Sequence, residues 1–256
     1  MRRLLLAILV VVATTVAGCR DTQPPSARSS HMDAIPHLML WAWERPEDLS
    51  YIDAATTGVA FLAATVTLRG PGADARPRLQ PLSVPPETTM VAVVRVEVDR
   101  RESPALSASQ GASIVRALVR VSSLDGVAAV QVDFDARLSE RDFYRDLLTQ
   151  LRAALPESMP ISMTALASWA MYDDWVVDLP VDEIVPMLFR MGREAPEIRA
   201  YIERNGDMRA RVPGGSIGYA VDEPRPPLTT SGRVYIFAPD GWSRAGYTTV
   251  VEEFAQ

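Results

Sequence analysis

Eight short apolar runs, each followed by a polar or helix-patterned stretch, constrain this chain more than any other feature. They are HLMLWAW (37–43), GVAFLAATV (58–66), MVAVVRVEV (90–98), AAVQVDF (128–134), ISMTAL (161–166), EIVPMLF (183–189), SIGYAV (216–221) and RVYIFA (233–238). Short runs rich in β-branched and aromatic residues, bounded by turn-forming residues, predict strands. Between the fourth and fifth, SERDFYRDLLTQLRAAL (139–155) predicts a helix capped by Ser139, with Phe143, Leu147, Leu148, Leu151 and Leu155 on one face and a stop at Pro156. A second helix is predicted over 107–122, whereas 69–88 is a Pro-rich stretch where the alternation calls for a helix. Strands alternating with helices predict an α/β fold, a compact (β/α)8 TIM-type barrel with an irregular or missing helix. An open doubly wound sheet is the alternative, disfavoured because no G-x-G-x-x-G or G-x-x-x-x-G-K-[ST] loop follows a strand.

The barrel occupies 37–256 of the 256 residues as a single domain, expected to act as a monomer. Ahead of it, Arg2 and Arg3 precede an apolar run (4–16) too short for a comfortable membrane span, and VAGC (16–19) closes it. The run reads as an export signal over 1–19, and VAGC resembles the lipobox of bacterial lipoproteins, which implies lipid on Cys19, the only cysteine. Residues 20–36, with QPPSARSS, read as a tether. Arg20 follows the cysteine where a retaining aspartate would hold many lipoproteins at the inner membrane. The expected location is therefore the outer membrane, facing the periplasm.

In a strand, alternate side chains share a face. Val130, Val132 and Phe134 then meet the helices, while Gln131, Asp133 and Asp135 face the barrel axis, with the two acids near its mouth. The same alternation turns Arg95, Glu97 and Asp99 inward from the third predicted strand, and Trp41 and Trp43 from the first. Ser162 and Thr164 face inward from the fifth, and Trp169, Arg190 and Trp242 lie just beyond strand ends. Functional groups of such barrels sit at the C-terminal ends of strands. Carboxylates, hydroxyls and indoles together suit a sugar, because indoles stack on ring faces while acids bind hydroxyls or move protons. Each also has a structural alternative: the tryptophans as core, Arg95 and Glu97 as an internal ion pair, and Asp133 as a hydrogen-bonded strand end.

Composition excludes several chemistries. All 26 basic residues are arginines, so no lysine Schiff base can form. The only histidines are His31, in the tether, and His37, at the start of the first strand and hence at the wrong end of a barrel. That argues against a Ser-His-Asp triad or a histidine-rich zinc site. Asn205 is the only asparagine and lies far from the fourth strand. A net charge of −6 and a pI near 5.1 argue against nucleic acid as a partner. No cofactor is expected, and a magnesium or calcium site at the four acids Glu97, Asp99, Asp133 and Asp135 lacks a recognised ligand spacing.

VQVDFDARLSERDFYRDLLTQLRAALP (130–156), ISMTALASW (161–169) and DEIVPMLFRMG (182–192) resemble bacterial proteins grouped as domain of unknown function 3142. That resemblance implies a glycosidase-like barrel and no named activity. More distantly, the fourth strand is similar to that of family-18 chitinases, which ends D-x-x-D-x-D-x-E. Asp133 and Asp135 match its middle and later aspartates, whereas Val130 replaces the first and Arg137 the proton-donating glutamate. An arginine cannot protonate a glycosidic oxygen. The expectation is a lipid-anchored, glycoside hydrolase-like enzyme using Asp135 as general acid, with Asp133 beside it and Glu97 or Asp99 as second carboxylate. Two alternatives stay open: a non-catalytic barrel that binds a glycan or partner protein, and a structural envelope lipoprotein without a ligand.

Overall fold

A computed structural model describes residues 32–254 except 174, 210, 211, 227 and 229. The signal, Cys19 and most of the tether lie outside the described residues. The strands are β1 (Leu38–Ala42), β2 (Glu47–Asp48), β3 (Thr57–Arg69), β4 (Gly72–Pro77), β5 (Leu82–Ser83), β6 (Met90–Val98), β7 (Val127–Asp133), β8 (Ile161–Leu166), β9 (Glu183–Met187), β10 (Ile217–Ala220) and β11 (Val234–Phe237). The helices are α1 (Ala108–Val121), α2 (Arg141–Ala154), α3 (Ala167–Tyr172), α4 (Ala195–Asn205) and α5 (Arg244–Phe254).

Eight strands pair in parallel in the order β1-β3-β6-β7-β8-β9-β10-β11, and β11 pairs back to β1. The sheet is a closed (β/α)8 barrel, and its eight strands are the eight apolar runs. Closure removes the unpaired edges that an open sheet would leave. The stretch 69–88 is not a plain loop. Its first part, β4, folds back antiparallel on the long β3, pairing Arg69 with Gly72 through Ala64 with Pro77, and β5 pairs with β2. A hairpin thus stands where the repeat calls for a helix, because β3 runs on past its pairing with β1, which ends at Phe61, and offers β4 a partner there.

Two apolar layers result. Outward residues of the strands pack under the helices: Val130 and Val132 meet Phe143, Tyr144, Leu147, Leu148 and Leu151 of α2, all buried. Each such side chain contributes roughly 1.5–3 kcal/mol. The inward layer holds Met39, Trp41, Ala60, Val91, Val93, Ala129, Val185 and Tyr235, with Met32 and Ile35 packed against it. Helix α1 starts at Ser107, which forms a capping box with Gln110. Ser139, by contrast, does not cap α2. A 3-10 turn (Leu138–Glu140) intervenes, and Glu140 accepts the Arg137 backbone N–H at 2.8 Å while Arg100 pairs with its carboxylate.

Candidate functional site

The interior is polar at specific levels, and register explains which residues meet. Gln131 lies level with Ser162, and Ser162 with Glu183. The Trp41 indole N–H donates to Gln131 Oε1 at 2.9 Å, Gln131 Nε2 to Ser162 Oγ at 2.9 Å, and Ser162 to Glu183 Oε2 at 2.6 Å. Because an indole only donates, the Gln131 amide has one workable orientation and the chain runs towards Glu183. Tyr235 and Ser216 also donate to that carboxylate, at 2.7 and 2.6 Å, and Arg233 pairs with it at 3.0 Å. Arg233 donates in turn to the Met32 carbonyl, so the N-terminal end of the barrel is stoppered. Burial and the Glu183 charge push the Tyr235 phenol well above its ordinary value.

Above this level the mouth opens into a cavity of about 260 Å³, lined by Trp41, Trp43, Arg95, Asp133, Asp135, Thr164, Leu166, Met187, Phe189, Arg190 and Phe237. Trp41 forms its floor rather than a free platform. The indole is buried, packs on Tyr235 at 5.1 Å between centroids, and meets Phe189 edge-on at 6.0 Å. Gly218 makes this possible: a Cβ there would stand 2.7 Å from the indole, closer than packing allows. Trp43, half-buried, packs edge-on against Phe237.

The two acids of VQVDFDAR differ. Asp133, 3% exposed, accepts from Arg95 at 2.8 Å and from Thr164 Oγ1 at 2.7 Å, and Arg95 is its register neighbour. Asp135 lies beyond the strand, at the centre of a three-residue turn closed by Ala136 N–H to the Phe134 carbonyl at 2.8 Å. Its side chain is 50% exposed, and its one ion pair among the described residues, to Arg95, is 3.9 Å long. Desolvation by the surrounding walls, then repulsion from Asp133, raise its pKa against the opposing pull of Arg95. Arg95 also donates to Glu97 at 3.0 Å and stands over the Trp43 ring at 5.7 Å.

Other expected site residues lie elsewhere. Asp99 follows the strand end and turns to Arg101, whose side chain and backbone hydrogen bonds hold its carboxyl down at about 2. Glu97 is half-exposed beside Arg95 and does not line the cavity. Gln131 and Ser162 lie a level too deep. Trp169 sits in α3 and packs on Trp175 at 4.9 Å in the outer core, because the chain turns helical directly after β8. Trp242 donates to the Trp41 carbonyl at 2.9 Å and packs against the outer layer. Arg190 does reach the mouth, in a left-handed conformation (φ 52), with its guanidinium held by Glu223 and Asp222 at 2.5 and 2.7 Å. Arg137 is exposed and outside the lining. Among the described residues, no three metal-type side chains converge. Nor is any described helix long and apolar enough to cross a membrane.

Sequence reasoning overlooked Glu183, Arg233 and Tyr235 as a unit, and Phe189 and Phe237 as walls. The signal present was a charge of opposite sign at the head of two apolar strands.

No family model matches the chain, and no curated protein matches it. Several solved structures align with it, the following two among them. One is the chitinase domain of the spore coat protein CotE from Clostridium difficile, at 14% identity and a TM-score of 0.39, covering 63% of this chain and 52% of that one. The other is the Bacillus cereus spore cortex-lytic enzyme SleL, at 13% identity and a TM-score of 0.45, covering 87% and 59%. The chain thus spans between half and three-fifths of their lengths.

Proposed function

We propose that this barrel is glycoside hydrolase-like, takes a short glycan into its mouth, and uses Asp135 as general acid. One observation carries the reading: of two neighbouring carboxylates, Asp133 is consumed by Arg95 and Thr164, while Asp135 faces the cavity with its pKa raised. A carboxyl whose surroundings raise its pKa is the usual choice of general acid. The aromatic walls offer faces for a sugar ring, and the cavity's size suits one or two rings rather than a long chain.

A second reading, a non-catalytic glycan-binding barrel, is favoured by Arg137, which stands where the chitinase-like pattern needs its acid and is turned outside the lining. Screening the full-length protein against cell-wall and capsular glycans, for binding and for product release, separates the two. Product release supports the enzyme. Binding without product at any pH, abolished by Trp43→Ala, supports the binding barrel, and no binding or turnover anywhere in the panel overturns both.

The lipobox-like VAGC supports export and anchoring through Cys19. Cys19→Ser is expected to leave the protein in the aqueous phase on detergent partitioning, and retention in the detergent phase would overturn the anchor.

A further inference from the structure

Charge at the mouth is unbalanced in one direction. Among the described residues, Arg95 is the one guanidinium shared by Asp133, Asp135 and Glu97, at 2.8, 3.9 and 3.0 Å, so three carboxylates meet one cation. The other cation lining the cavity, Arg190, has its nitrogens on Glu223 and Asp222, and Glu223 is shared with Arg199 at 2.8 Å. Among the described lining residues no guanidinium is therefore left to receive an anion, while Asp135 presents a half-exposed carboxylate with no hydrogen bond among the described residues. Aromatic faces line the same cavity, with Phe189 and Phe237 stacked at 5.7 Å between centroids. A carboxylate and aromatic faces in one acidic mouth are the combination that receives an ammonium group.

We infer that the ligand of this mouth is a glycan bearing free amines, an amino sugar in its non-acetylated form, and that uronic, sialyl and phosphorylated glycans are excluded. The inference rests on the glycan reading above and specifies its substrate class. A ligand ammonium beside Asp135 supplies the positive charge that the Arg95 cluster lacks, whereas a ligand carboxylate would have to displace Glu97 or Asp222 from its arginine.

The test uses the full-length protein in a nonionic detergent, titrated calorimetrically with a glucosamine oligomer, its fully N-acetylated counterpart and an oligogalacturonate of equal length. The titrations are run over a series of pH values, because the contact needs a protonated amine and an ionised Asp135, and the preference should fade at low pH as Asp135, whose pKa is raised, takes up the proton it carries as general acid. The glucosamine oligomer is expected to bind about two- to fivefold more tightly than the acetylated one, the size of a single partly exposed charge contact, and the uronate not at all. Added salt should shrink the preference. Asp135→Asn should abolish it, and Glu97→Gln, which keeps the neighbouring aspartates, should reduce it. Equal or tighter binding of the acetylated oligomer overturns the amine inference and leaves the glycan reading standing. Uronate binding tighter than either overturns the charge argument, and failure of all three to bind counts against both.

Discussion

Asp135→Asn is expected to lower glycan cleavage by about 10²–10⁴-fold, the range for loss of a positioned proton donor. An amide preserves the shape of the side chain and its turn but cannot release a proton. The wild-type rate should fall as pH rises through the raised pKa of Asp135, above the ordinary aspartate value of about 3.9, because the acid must be protonated to act. The residual rate of the variant should lack that limb. Stability should move the other way. A carboxyl whose folded pKa is raised disfavours the folded state once ionised, a penalty that begins as pH passes the unfolded value and is complete above the folded one. At neutral pH the variant should therefore unfold no more easily than the wild type, so that lost activity with an unchanged or higher melting temperature separates a chemical role from a structural one. Unchanged cleavage of a responsive glycan would remove Asp135 from the mechanism.

Arg233→Ala is expected to cost about 3–5 kcal/mol, the range for breaking a buried ion pair by removing one partner. Glu183 is fully buried, and Arg233 is its only cationic partner in the described structure. Its remaining contacts, with Ser162, Ser216 and Tyr235, are hydroxyl donors that do not neutralise a charge. In a domain of this size such a loss lowers the melting temperature by roughly 6–20 °C. Arg233 also closes the N-terminal end of the barrel through Met32, so the loss should be larger than for a surface pair such as Arg76 with Glu44, where about 0–1 kcal/mol is expected. Thermal unfolding of the two alanine variants side by side checks the contrast, and equal shifts would mean that the buried Arg233–Glu183 pair contributes no more than an exposed one.

Several placements were legible before any coordinates. Alternation put Gln131 and Asp133 inside and Val130 and Val132 outside, and the helices over 107–122 and 139–155 follow from their apolar spacing and stops. Strand-end logic was less reliable past the last ladder bond. Asp99, Trp169 and Trp242 follow strands, yet a turn or helix start rotates each away from the mouth, whereas the turn at Phe134 to Ala136 keeps Asp135 there. The hairpin at β4 went unseen because nothing in 69–88 reports that β3 outruns β1 and leaves that edge unpaired.

The sequence by itself determined the barrel: a period of two within each strand, a count of eight, and helical spacing between them are local properties, written in consecutive residues. Only the tertiary structure decided the site. Closing the ring brings together residues whose separation in the chain carries no trace of their contact, such as Arg95 with Asp133, Trp41 with Gln131 and Glu183 with Arg233. Register around the ring assigns each inward side chain to a level, and that level makes Asp133 a bound structural group and leaves Asp135, two residues later, facing the cavity.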